Sequence, residues 1–171
     1  KGINILRNGK IEKYYSQIRG KSFLISHLLL VNPNNNEQKI FAYTSFGAIN
    51  IFSQKDGKIE TSFYRSPPSL SINKLELLGN KIIALTTNGL SIFSNNKLTI
   101  LKTEGLPPVS VYCLAKYNDG SFLIGTKGNI FRIKENKIIK RYKIDLAANN
   151  EVSAILIDSK NNIWFSIMNK G

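Results

Sequence analysis

A short glycine-headed pattern returns along this chain at a spacing that neither a helix nor a single sheet imposes. Gly2 opens Gly-Ile-Asn-Ile-Leu, Gly47 opens Gly-Ala-Ile-Asn-Ile-Phe, Gly89 opens Gly-Leu-Ser-Ile-Phe, and Gly128 opens Gly-Asn-Ile-Phe-Arg-Ile. Gly171 stands where the next unit would begin. Successive glycines lie roughly 40–45 residues apart, the pitch of a β-propeller blade. The expected fold class is all-β: a β-propeller built from four-stranded antiparallel blades.

The unit from Gly105 to Asp145 carries the pattern most clearly. Gly105-Leu106-Pro107-Pro108 reads as a loop, since paired prolines exclude helix and supply no ladder donors. Val109 to Lys116 is a first strand, and Asn118-Asp119-Gly120 a tight turn between apolar runs. Ser121 to Gly125, Asn129 to Lys134 and Lys137 to Ile144 complete the blade. The expected organisation of residues 1–171 is then one propeller segment: half a blade at 3–22, whole blades at 23–66, 70–104 and 109–145, and a further first half at 152–171. About four blades' worth is present. Four blades can close with one blade shared between the ends, or the chain is a segment of a larger ring. The second is preferred, because most rings have more than four blades and both ends fall at one hairpin. In the blade at 23–66 the first hairpin is enlarged by Asn32-Pro33-Asn34-Asn35-Asn36, which reads as a tolerated surface loop.

Composition narrows the function classes. A single cysteine, Cys113, leaves no internal disulfide framework, and its apolar neighbours mark it as a small buried hydrophobe. The longest apolar run, Phe23 to Val31, is far short of the ~20 residues that cross a bilayer. One histidine, His27, forbids a multi-histidine metal site within these residues, and it lies in an apolar strand with no nucleophile or carboxylate placed beside it. The 11 acids are scattered, with no calcium-loop pattern. No phosphate-cradling loop or nucleophile elbow occurs. No catalytic residue, metal site or cofactor is therefore expected.

The 24 Lys+Arg give a formal charge of +13, and position decides what it means. Lys10, Lys58, Lys97 and Lys137 each open a fourth strand, the outer edge of a blade, where lysine blocks edge-to-edge pairing. A solubilised rim is the plain reading, and a salt-sensitive polyanion-binding rim the sharper one. Nucleic acid is set aside, because no binding motif or stacking pattern accompanies the charge. Ligands of propellers usually meet loops at one mouth of the channel. Tyr64, Arg65, Lys21, Phe46, Lys127 and Lys170 are the candidate binding residues there, Tyr64 and Arg65 foremost.

Gly105-Leu106-Pro107-Pro108-Val109, then Asn118 to Thr126, then Val152 to Ser166 with its Asp158-Ser159-Lys160-Asn161-Asn162-Ile163-Trp164-Phe165 core, resemble the two-component regulator propeller repeat. In that repeat a Gly-Leu-Pro loop precedes a strand and an Asp-x-x-Gly-Asn-Leu-Trp-Ile-Gly-Thr core. Phe122 stands in place of the usual Trp, Asn161 in place of Gly, and Ser166 where Gly is common. Earlier units keep the Thr-x-x-Gly echo, Thr44 to Gly47 and Thr86 to Gly89. In this reading Asp158 satisfies a hairpin, Trp164 and Phe122 fill space between blades, and Gly125 lets backbones approach. The resemblance implies a non-catalytic, ligand-sensing propeller of an extracytoplasmic bacterial sensor, periplasmic or at the cell surface and responsive to glycans. The alternative it implies is a secreted or surface scaffold that holds a protein or an anionic polysaccharide. Oligosaccharide, protein partner and self-association are all compatible with it. Asp158 to Phe165 is also similar to repeats of a propeller lyase that opens cyclic antibiotics, which would need a catalytic histidine and metal-binding acids.

Overall fold

The computed structural model describes residues 3–168 apart from 8–9, 16, 19–20, 23–24, 26, 35–36, 45–46, 56–57 and 146–148. Its contacts divide it between Pro67 and Pro68 into two units.

In the first unit, β1 (Ile3–Arg7) pairs with β2 (Lys10–Tyr15), and β3 (Gln17–Ile18) with β4 (Lys21–Ser22). β5 (His27–Asn34), β6 (Glu37–Tyr43), β7 (Ala48–Lys55) and β8 (Lys58–Arg65) form a four-stranded antiparallel meander. Phe41, Tyr43, Ile49, Ile51 and Phe52 of its central strands are buried. β5 runs on through Asn32-Pro33-Asn34, and Asn34 pairs with Glu37 after an irregularity between Val31 and Asn34. Asn32–Asn34 of the expected loop are thus strand, since a register irregularity absorbs the proline that a regular ladder would reject, while Asn35 and Asn36 lie outside the described residues. His27 lies exposed on β5 with its ring stacked on Tyr43, centroids 5.2 Å apart.

The second unit contains β9 (Ile72–Leu78), β10 (Lys81–Thr86), β11 (Gly89–Ser94) and β12 (Lys97–Ile100) as one meander. A second meander is β13 (Cys113–Lys116), β14 (Phe122–Gly125), β15 (Asn129–Lys134) and β16 (Lys137–Lys143). β17 (Val152–Ile157) pairs with β18 (Ile163–Ile167). β13 packs against both β9 and β17, so the first strands of successive sheets are neighbours, as blades require. Two cores follow from the two faces of β14. Phe122 and Ile124 meet Ile83, Leu85, Leu90 and Val111 on one side. Leu123 meets Cys113, Ile130 and Val152 on the other. The period of two in a strand sends alternate side chains to opposite blades, which is why these strands are apolar throughout.

The recurring glycine now has a physical cause. Gly47, Gly89 and Gly128 have φ of 77°, 86° and 68°, the left-handed region that side chains avoid. Each closes the turn between second and third strands. In the second unit that turn also clasps the next sheet. Gly89 N–H donates to Val109 O (2.7 Å) and Val111 N–H to Thr86 O (3.0 Å). One repeat later Gly128 N–H donates to Asn150 O (3.2 Å) and Val152 N–H to Thr126 O (3.2 Å). Thr86 and Thr126 are both fully buried, and each hydroxyl donates back across the turn, to Gly89 O and Asn129 O. This clasp takes the backbone groups of Val109 and Val111 out of sheet pairing, so β13 begins at Cys113 rather than Val109. The architecture is all-β, of propeller blades: among the described residues, three four-stranded sheets and three strand pairs. No helix among those residues is long and apolar enough to cross a membrane.

Candidate functional site

The first-hairpin carboxylates are structural anchors. Asp158 Oδ1 accepts from the N–H groups of Lys160 (2.9 Å) and Asn162 (2.8 Å), and its Oδ2 from Asn162 Nδ2 and Trp164 Nε1, both at 2.9 Å. Asn161, with φ 63°, fills the place a glycine usually takes, a conformation asparagine tolerates better than most residues. Asp119 accepts from Ser121 N–H (3.0 Å) and Ser121 Oγ (2.5 Å), and pairs with Arg132 at 2.9 Å. The Arg132 guanidinium lies 3.9 Å over the Tyr117 ring. Hydrogen bonds to the ionised form, led by Trp164 for Asp158 and by Ser121 for Asp119, lower both pKa values to about 2. Unfolded aspartates titrate near ~3.9. Because the folded values are depressed, the stabilisation is complete above about pH 4 and disappears as pH falls through about 2. The Asp119→Asn/Asp158→Asn chain is expected to show a flatter dependence of urea midpoint on pH between those limits. Parallel curves for the two chains would refute the anchoring role.

Cys113 is buried, its thiol donating to Val152 O at 3.2 Å. Burial pushes its pKa up to about 11. At pH 8 the folded chain should react with a thiol reagent at least ~100-fold more slowly than the unfolded chain, because the thiolate is the nucleophile. Equal rates would show the site to be open.

A cleft of about 420 Å³ opens in the second unit between the 105–109 loop and the sheet behind it. Pro107 and Val109 form one wall, Phe131 and Ile138 the other, and Arg141 stands at the rim. Register places Arg141 opposite Phe131. Its Nε donates to Asn129 Oδ1 at 2.9 Å, while Asn129 Nδ2 donates to Lys127 O at 3.0 Å. The guanidinium carbon lies 5.8 Å from the Phe131 ring centroid. A loop carbonyl thus orients an amide, and the amide orients an arginine over an apolar wall.

The candidate residues read from the sequence fall in both units. Tyr64 and Arg65 end strand β8 rather than sitting in a loop, paired with Ile49 and Ala48. Tyr64 is half-buried and Arg65 exposed. In the repeat Tyr64 holds the place of Tyr142, which packs on the Leu123 core. Lys21 lies in β4, paired with Ile18, not in a loop. Lys127 is exposed in the turn after β14, and its backbone forms an isolated antiparallel β-bridge with Glu151. Phe46 and Lys170 lie outside the described residues. The edge lysines Lys10, Lys58, Lys97 and Lys137 open their strands and are exposed, as the rim reading requires, and Lys137 pairs with Glu104 at 2.8 Å. Arg141 was hidden in the sequence by that lysine-rich rim.

One structural expectation needs correcting. Gly125 pairs with Cys113, and Ser166 with Ala154. Stepping two residues back makes Leu123, not Phe122, the counterpart of Trp164. Phe122 does fill space between sheets, but on the opposite face. Trp164, on the last described strand, is 62% exposed.

Residues 147–169 match the two component regulator propeller repeat. No curated protein sequence matches the chain at a significant level. Among solved structures the chain is similar to the extracellular domain of BT4673 of B. thetaiotaomicron, assigned as a hybrid two component system, at TM-score 0.65 and 17% identity. That likeness covers 94% of this chain and 22% of the other. The extracellular domain of BT3049 from the same organism, likewise assigned, gives TM-score 0.66 and 19% identity over 96% and 23%. Virginiamycin B lyase from Staphylococcus aureus gives 0.58 and 17% over 81% and 47%. The chain spans less than a quarter of the first two structures, and identities this low speak to the fold.

The match at 147–169 bears out the resemblance to the two component regulator propeller repeat where it was read from Val152 to Ser166.

Proposed function

We propose that this chain is part of a ligand-sensing propeller of an extracytoplasmic two-component sensor, binding rather than catalysing, with a glycan as its ligand. The observation that carries this reading is the match at 147–169 together with likeness over nearly the whole chain to extracellular domains assigned to such systems. The lyase likeness covers less of the chain. The only histidine stacks its ring on Tyr43 in the first unit. Loops carried on a sheet scaffold suit recognition.

A glycan microarray followed by calorimetry tests the reading. Saturable binding of one oligosaccharide class, unchanged in composition after overnight incubation, is the expected result. Degradation of the bound sugar would replace sensing by catalysis. Silence across the array, with recovery of a protein partner instead, would favour a surface scaffold.

A further inference from the structure

Departures from an internal repeat separate residues the scaffold needs from residues it does not. Gly128 aligns with Gly89 and Gly47, so Asn129 aligns with Leu90 and Ala48. Strand register then aligns Arg141 with Thr99 and Phe63. Neither other sheet has an arginine or an amide at these places. The blade fold is therefore made without the Asn129–Arg141 pair.

We infer that Arg141 and the cleft it overhangs bind a carboxylate carried on a compact ring with an apolar face. The inference rests on the ligand-binding reading above and names the chemistry at one site of it. Asn129 uses Nε of the guanidinium and fixes its plane, which leaves both terminal nitrogens without a hydrogen-bond partner among the described residues. Two parallel N–H groups held in one plane match the two oxygens of a carboxylate, with more geometric selectivity than an ammonium provides. The walls are Pro107, Val109 and Phe131, which a charged group alone would not use but the C–H face of a ring would. No acidic side chain lines the cleft. Glu104, next to the lining residue Gly105, is paired to Lys137, and Asp145, four residues from Arg141, is paired to Lys143. The volume, about 420 Å³, suits one or two rings.

A sugar acid and an aromatic acid share this chemistry. Calorimetry on the full chain would use galacturonate trisaccharide, its methyl ester, phenylacetate and phenylacetamide. The expected result is saturable binding of one of the two acids, with its neutral counterpart at least about tenfold weaker, the loss expected for a charge-assisted hydrogen bond. Arg141→Lys should weaken the acid about tenfold while retaining the charge, and Asn129→Ala should weaken it less. Arg141 is exposed, so unchanged melting temperatures check that both variants fold. Which acid binds identifies the source. Equal binding of acid and neutral counterpart, undiminished binding by Arg141→Lys, or no binding of either acid would each overturn the inference. A neutral glycan that binds while both acids fail would sink this site and leave glycan sensing standing.

Discussion

Replacing Gly125 with alanine is expected to destabilise the folded chain by about 3 kcal/mol, at the top of the usual range for overpacking. The cause is space alone. A Cβ built on Gly125 would press into Cys113 Sγ and would lie 2.9 Å from both Val152 Cγ1 and Val152 O. One of these is backbone of the next blade, held by the Val152–Thr126 hydrogen bond, so it cannot swing aside as a side-chain tip would. The Cys113→Ala/Gly125→Ala pair should recover only part of the loss, because Val152 remains. Gly79 is the control: at φ 61° with nothing near its missing Cβ, alanine there meets only the conformational penalty, about 1 kcal/mol. Urea unfolding with unchanged slope measures all three. A Gly125→Ala midpoint no lower than that of Gly79→Ala would show that the sheets part more easily than their packing implies.

Much of this was open to a reader of the sequence, and the reason is local. A left-handed turn that must recur once per blade leaves a glycine that must recur too, so Gly47, Gly89 and Gly128 announced the architecture before any contact was known. Asp158 was legible likewise, because its four donors, from three residues, lie within six residues of it. What failed was position across strands. Phe122 is aromatic and adjacent to the expected site, but counting two residues back from Gly125-Thr126, as Trp stands in the repeat, already gives Leu123, and the Cys113–Gly125 pairing agrees. Tyr64 and Arg65 were offered as residues of a mouth loop, whereas pairing with β7 continues to Arg65. The Asn129–Arg141 pair left no signal at all. Its members are brought together by antiparallel pairing across a hairpin, and Arg141 sits among lysines whose positions have a sufficient explanation in edge protection.

Leu123→Ala tests the same parity energetically, and the loss should be about 3 kcal/mol. Leu123 is fully buried against Cys113, Ile130 and Val152, so truncation removes transfer energy and leaves a cavity between two rigid sheets. Trp164 occupies the equivalent place on β18 with a larger side chain, yet it is 62% exposed, as is its cross-strand partner Leu156. Trp164→Ala leaves no enclosed void, and its effect comes through the lost donor to Asp158, so it should be the milder of the two. Chemistry alone predicts the reverse order, since tryptophan carries more apolar surface than leucine. The ordering therefore reports coverage rather than residue type. If Trp164→Ala proved as costly as Leu123→Ala, the face that β18 presents would be covered in solution, and the repeat rather than the exposure would be the better guide to its packing.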